Sequence, residues 1–136
     1  MRDILFRGKA VGSDSWEYGF YTRTESSLPN CKVAYKHYIM PNYASAFYGI
    51  EVDSSTVSEF TGATDKNGNK IFEGDIIYSD ICKSKAVIYD EEAEAFCLYD
   101  KSIISPQYLG RYNTEHFEII GNIYDNPELL EEINGR

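Results

Sequence analysis

Over the first 110 residues, apolar side chains recur at the two-residue period of half-buried strands, and no helical period persists. Short runs rich in Tyr, Phe, Val and Ile alternate with clusters of Gly, Asn, Asp and Ser, the pattern of a chain made of strands and turns. "DILFRGK" (3–9) predicts a first strand. "WEYGFYTR" (16–23) sets Trp16, Tyr18 and Phe20 against Glu17, Gly19 and Tyr21 as a half-buried strand, and "SSLPN" predicts a turn. "KVAYKHYIM" places Val33, Tyr35, His37 and Ile39 on one face, and "AFYGIEV" (46–52) predicts another strand with a bulge at Gly49. "DSSTVSEFTG" carries only Val57 and Phe60 as large apolar groups, so it reads as a connection. Asp53 and Ser54 there are suited to cap a short helical turn.

The most patterned stretch is "FTGATDKNGNKIFEGDIIYSD" (60–80). Asp65, Asn67 and Asn69 fall at positions 1, 3 and 5 of a calcium loop. Gly68 then sits at position 4 instead of 6, and Ile76 replaces the bidentate Glu at position 12. A phosphate loop fails too, because the residues after Gly68 are strand-like and form no helix carrying Lys-Ser or Lys-Thr. Asn67-Gly68 instead suits a two-residue type I′ hairpin. That register sets Lys66 opposite Asn69, Asp65 opposite Lys70, Thr64 opposite Ile71 and Ala63 opposite Phe72. Gly74 breaks the backbone before the next strand, "DIIY".

Further on, "KAVIYD" and "EAFCLYD" flank "DEEAE", which predicts a second hairpin with an acidic tip. "SIISPQYLGRYN" predicts a short strand and a loop, and "HFEIIGNIYD" a last long strand bent at Gly121. The end, "DNPELLEEINGR", is punctuated as a helix. Asn126 or Asp125 serves as cap, Pro127 sits in the first turn, and Gly135 stops it. Leu129, Leu130 and Ile133 form a stripe that must dock, since about two turns of helix are marginal alone.

Composition narrows the class. With 43% apolar and 15% aromatic residues in 136, the chain suits one compact domain or two very small ones sharing a core. No apolar run is long enough to cross a bilayer, and "MRDILFRGK" has no signal-like apolar stretch, so a soluble, cytoplasmic protein is expected. Net charge is −9. Residues 86–136 hold eleven acids and three bases, which opposes non-specific nucleic-acid binding there and leaves a basic partner open.

The candidate chemistry is thin. Cys31, Cys82 and Cys97 lack metal or disulfide spacing, and Cys97 reads as a small buried hydrophobe. His116 with Glu115 and Glu118 offers acid–base groups, but no nucleophile or oxyanion turn stands near them in sequence. "KVAYKHY" interleaves Lys32, Lys36 and His37 with Tyr35 and Tyr38, a pattern open to nucleic-acid stacking but also to a half-exposed strand. Asp90, Glu91, Glu92 and Glu94 form the one candidate partner-binding cluster. The competing reading is a solvated hairpin tip. No catalytic residue, metal ligand or cofactor site is predicted.

"RDILFRGK", "WEYGFY", "VDSSTVSEFTGATDKNGNKIFEGDII" and "EIIGNIYDNPELL", in this order, resemble the YopX family of small phage and prophage proteins. Ser54 stands where that family commonly has proline, and Ala63 where it has leucine. The resemblance implies an origin in a mobile element and an SH3-like barrel in the C-terminal half. It supplies no catalytic residues. The expected fold is mainly β, with an N-terminal β-unit (1–52), a connection (53–59), and a small SH3-like β-barrel with a short C-terminal α-helix (60–136).

For function, the sequence and the resemblance favour a non-catalytic accessory protein that binds an unknown host or phage protein, or itself as a homo-oligomer. Two alternatives are an acidic decoy of a host nucleic-acid-binding protein and a weak nucleic-acid binder working through the N-terminal half. Residues 1–50 carry six bases and four acids. No membrane partner is expected.

Overall fold

The computed structural model describes residues 3–30, 32–41 and 48–135. Cys31 and the first two residues of the strand expected at 46–52 lie outside these. The protein is mainly β and antiparallel throughout, with one short α-helix. The backbone divides into two compact units, Met1–Glu59 and Phe60–Arg136.

In the first unit, strands β1 (Phe6–Lys9), β2 (Trp16–Ser27), β3 (Val33–Pro41) and β4 (Ile50–Glu51) pair in the order β4-β3-β2-β1. The start of β5 (Ser58–Thr64) then adds to β1 through Ser58 and Glu59. The expected strand at 3–9 is reduced to Phe6–Lys9, and the second strand runs four residues beyond Arg23. β2 alternates, but with its faces opposite to the expected ones: Gly19 and Tyr21 lie on the more buried face, while Tyr18 and Phe20, expected on the apolar face, are exposed. Gly19 lies so close to β3 that a Cβ would stand 2.0 Å from the Met40 carbonyl oxygen. Tyr21 packs between Phe6 and His37, with ring centroids 5.7 and 5.9 Å away. Asp53 caps a 3-10 turn over Ser54–Thr56 by accepting from the Ser55 N–H at 3.0 Å, as its sequence position predicts.

In the second unit, the later residues of β5 form a hairpin with β6 (Lys70–Phe72). The chain continues into a five-stranded sheet of β7 (Asp75–Ser79), β8 (Lys83–Asp90), β9 (Ala95–Tyr99), β10 (Gln107–Tyr108) and β11 (Glu118–Asn122), in the order β10-β9-β8-β7-β11. Its ladder is open, with β10 and β11 at the edges. Both faces carry core. Ile77, Val87 and Leu98 pack with Ile71, Leu109 and Phe117 on one side. Ile76 and Ala86 meet Ile133 of helix α1 (Pro127–Asn134) on the other, with Leu129 and Ile123 alongside. The helix stripe docks as its length demands.

Two expectations need correction. The β5–β6 turn is not the two-residue type I′ form, because Asn67 keeps a negative φ and only Gly68 is left-handed, at +80°. The Asp65 carbonyl accepts from the Gly68 N–H, and the Asp65 N–H donates to the Asn69 carbonyl, 2.9 Å away. This is a three-residue loop, a type I turn closed by a glycine bulge. Its register sets Thr64 opposite Lys70 and Phe60 opposite Phe72, so Asp65 does not face Lys70 across an exposed ladder. The cause is the Asp65 side chain, which accepts from the N–H groups of Asn67 and Asn69 at 2.9 Å each and so stabilises the type I geometry. The second correction is to the last strand, which spans only Glu118–Asn122. Beyond it, Asn122 Oδ1 accepts from the N–H groups of Tyr124 and Asp125 and turns the chain toward the helix. The bend at Gly121 is present as a register shift against β7.

Candidate functional site

The acidic cluster sits where the sequence puts it, at the tip joining β8 to β9. Asp90 opposes Ala95 at the end of the ladder. Its carboxylate accepts from the Ala93 N–H at 3.0 Å, so this acid is engaged in closing the turn. Glu91, Glu92 and Glu94 are exposed, and Glu94 takes a left-handed φ of 53°. Among the described residues, no three His, Cys, Asp or Glu side chains converge as a metal site. The tip is therefore a small acidic projection made of three solvent-facing carboxylates and one structural one.

The "KVAYKHY" run is divided by its own strand. Tyr35 and His37 lie on the face of β3 that carries Ile39, while Lys36 and Tyr38 alternate onto the other. His37 Nδ1 is 2.6 Å from the Tyr21 hydroxyl, with the two rings stacked at 4°. Tyr35 receives the Arg23 guanidinium over its ring at 4.5 Å. His116 ends a 3-10 turn at Thr114–His116, and Glu118 is in an exposed ion pair with Lys66 at 3.3 Å. These acid–base candidates thus serve turns and surface contacts. Cys97 is buried, and that burial, reinforced by the Asp90 charge, pushes its thiol above the usual range. A raised thiol suits packing rather than nucleophilic attack.

The structure adds features that the sequence pattern did not single out. Asp65 is only 2% exposed, and its second oxygen accepts from the Ile119 N–H at 3.1 Å. Burial raises its pKa, but the N–H donors of Ile119, Asn69 and Asn67 outweigh this and hold it below the usual carboxylate range. Lys85 joins two loops, donating to the Cys82 carbonyl and to the Asp100 carboxylate. For Asp100, burial again raises the pKa, while the Lys85 and Ser102 hydrogen bonds and the Lys85 charge lower it to about 2. Beside those loops, Ile81 and Ile104 are 92% and 100% exposed. The signal for these was present, since both are isoleucines in turn regions.

Two antiparallel β units, with a helix on one face of the second and a set of exposed turns and edges, define the class. A family model described as "YopX protein" matches residues 9–131, and the chain belongs to the YopX family. Among solved structures it is similar to the crystal structure of protein EF1440 from Enterococcus faecalis. That match has 23% identity and a TM-score of 0.53, and covers 96% of this chain and 100% of the other. The likeness is one of fold. Comparison with curated proteins gave no match. No helix among the described residues is long and apolar enough to cross a membrane.

Proposed function

We propose that this is a non-catalytic accessory protein of a phage or prophage, acting in the cytoplasm of the bacterial host through protein–protein contact, with another protein or with itself. The observation that supports this is the set of large apolar side chains standing in solvent. Ile81, Ile104, Phe20, Val33 and Tyr35 are all between 46% and 100% exposed. Exposed apolar surface is what a partner would cover, and side chains on turns and projecting strands are placed to reach one. Light scattering over a concentration series, combined with a pull-down from infected host lysate, tests the reading. Association or specific capture that weakens on Ile81→Ser with Ile104→Ser supports it. A strictly monomeric protein that captures nothing overturns it.

A second reading, an acidic decoy of a host nucleic-acid-binding protein, is supported by the exposure of Glu91, Glu92 and Glu94. Binding of that kind falls steeply with salt. Replacing the three with Gln without loss of partner binding would remove the tip from it. For the fold, we propose that Phe60–Arg136 is of the SH3-like barrel type. Support comes from the β5–β6 hairpin, whose Ile71 packs onto the same sheet face as Ile77, Val87 and Leu98.

A further inference from the structure

The hairpin of β2 and β3 outruns the strands beside it. β1 pairs with β2 only from Trp16 to Gly19, and β4 pairs with β3 only at Tyr38 and Ile39. From Thr22 to Ser27, and from Val33 to Lys36, each strand has the other as its sole ladder partner among the described residues. Nearly every residue of this arm is exposed. A two-stranded ribbon open on both faces and both edges is marginal in water, and its unpaired N–H and C=O groups form a template for a further strand.

The two edges differ. The β3 edge carries Lys36, with Lys32 just before the strand begins, and the His37 carbonyl already accepts from the Val52 N–H. Lysines on an edge discourage pairing. The β2 edge reads Thr22-Arg23-Thr24-Glu25-Ser26 and has no lysine or proline. Placed antiparallel to a second copy about a two-fold axis at Thr24, it opposes Arg23 to the copy's Glu25 and Glu25 to the copy's Arg23. Thr24 then meets its own equivalent, and Thr22 meets Ser26. Opposite charges and paired threonines are favourable cross-strand neighbours; the Arg23–Glu25 and Thr22–Ser26 pairs each occur twice, as two-fold symmetry requires, and the Thr24 pair lies on the axis. Centring the axis on Arg23 or on Glu25 would set like charges face to face. Among the described residues neither Arg23 nor Glu25 is in an ion pair; the Arg23 guanidinium rests over the ring of its own Tyr35, a contact that leaves its charge without a carboxylate.

We propose that the β2 edge of this arm is a self-recognition strand, joining two copies of the chain into one continuous sheet through the Thr22–Ser26 register. This rests on the reading that the protein acts by protein–protein contact and specifies the surface and the partner. The experiment is a charge swap on the full chain, with Arg23→Glu, Glu25→Arg and the double variant, each measured by sedimentation over a concentration series at low salt. Both residues are exposed, and circular dichroism checks that each variant folds. Either single reversal sets like charges opposite each other twice per dimer and is expected to weaken association roughly tenfold or more. The double variant re-forms both pairs and is expected to return within about threefold of the original. Arg23 serving only its own Tyr35 ring would not be rescued by Glu25→Arg. Association indifferent to all three variants overturns the proposed strand while leaving self-association standing. A monomer at every concentration overturns it as well, and leaves the broader reading to the pull-down.

Discussion

The carboxylate of Asp65, at the end of β5, accepts a hydrogen bond from the backbone N–H of Ile119 in β11, 54 residues away. In the reverse direction, the N–H of the adjacent Lys66 donates to the Phe117 carbonyl at 2.9 Å. One buried acid therefore closes its own turn and fastens the outer edge of the sheet, satisfying backbone groups that an edge strand otherwise leaves open.

Replacing Asp65 with Ala removes the acceptor of three backbone N–H groups and leaves that of Ile119 without its partner. The expected loss is about 2–3 kcal/mol in chemical denaturation, with the slope unchanged. Asp65→Asn keeps the size and one acceptor oxygen, and should lose less.

Acid should unfold the second unit through the same residue and through Asp100. Both carboxyls are held below their unfolded values, so the folded state binds fewer protons than the unfolded one. Their stabilisation is complete above the unfolded value near 4 and fades as pH falls through the folded values, which for Asp100 means toward about 2. Stability measured from about pH 6 down to about pH 2 should decline less in Asp65→Asn and in Asp100→Asn than in the parent.

The turn type makes opposite demands on neighbouring residues. Gly68 sits at φ +80° with open space around its Cβ position, so Gly68→Ala should cost about 1–2 kcal/mol from backbone conformation alone. Asn67 has an ordinary negative φ, and Asn67→Ala should change stability by less than about 0.5 kcal/mol. A type I′ turn would be sensitive at both positions, so urea midpoints for the two variants separate the forms.

In the first unit, Tyr21→Phe removes the hydroxyl that meets His37 Nδ1 and keeps the ring stacked. The expected cost is about 1 kcal/mol by thermal or chemical denaturation. His37→Ala also removes the ring and should cost more.

The helix should respond at one face only. Ile133 is 4% exposed against Ile76 and Ala86, so Ile133→Ala is expected to cost about 2–4 kcal/mol. Glu132 is exposed, and Glu132→Ala should stay within about 0.5 kcal/mol.

Local chemistry made much of this readable from residues alone. Strand periodicity, the acidic tip between β8 and β9, the cap at Asp53, the bend at Gly121 and the docked stripe of α1 each arise from patterns within a few residues. The family was legible in four short motifs in order. Other features depend on partners far along the chain. No local pattern tells that Asp65 will meet Ile119, and that contact goes with a turn of three residues where Asn67-Gly68 alone suggested two. Nor does sequence spacing reveal that β2 continues past its neighbours, because strand ends are decided by which residues the adjacent strands reach. The sequence by itself determined the β class, the hairpins and the helix, since those rest on period and turn preference. Tertiary structure alone decided the register, the burial of Asp65 and the open edge of the β2–β3 arm, since these depend on which distant backbone groups find a partner.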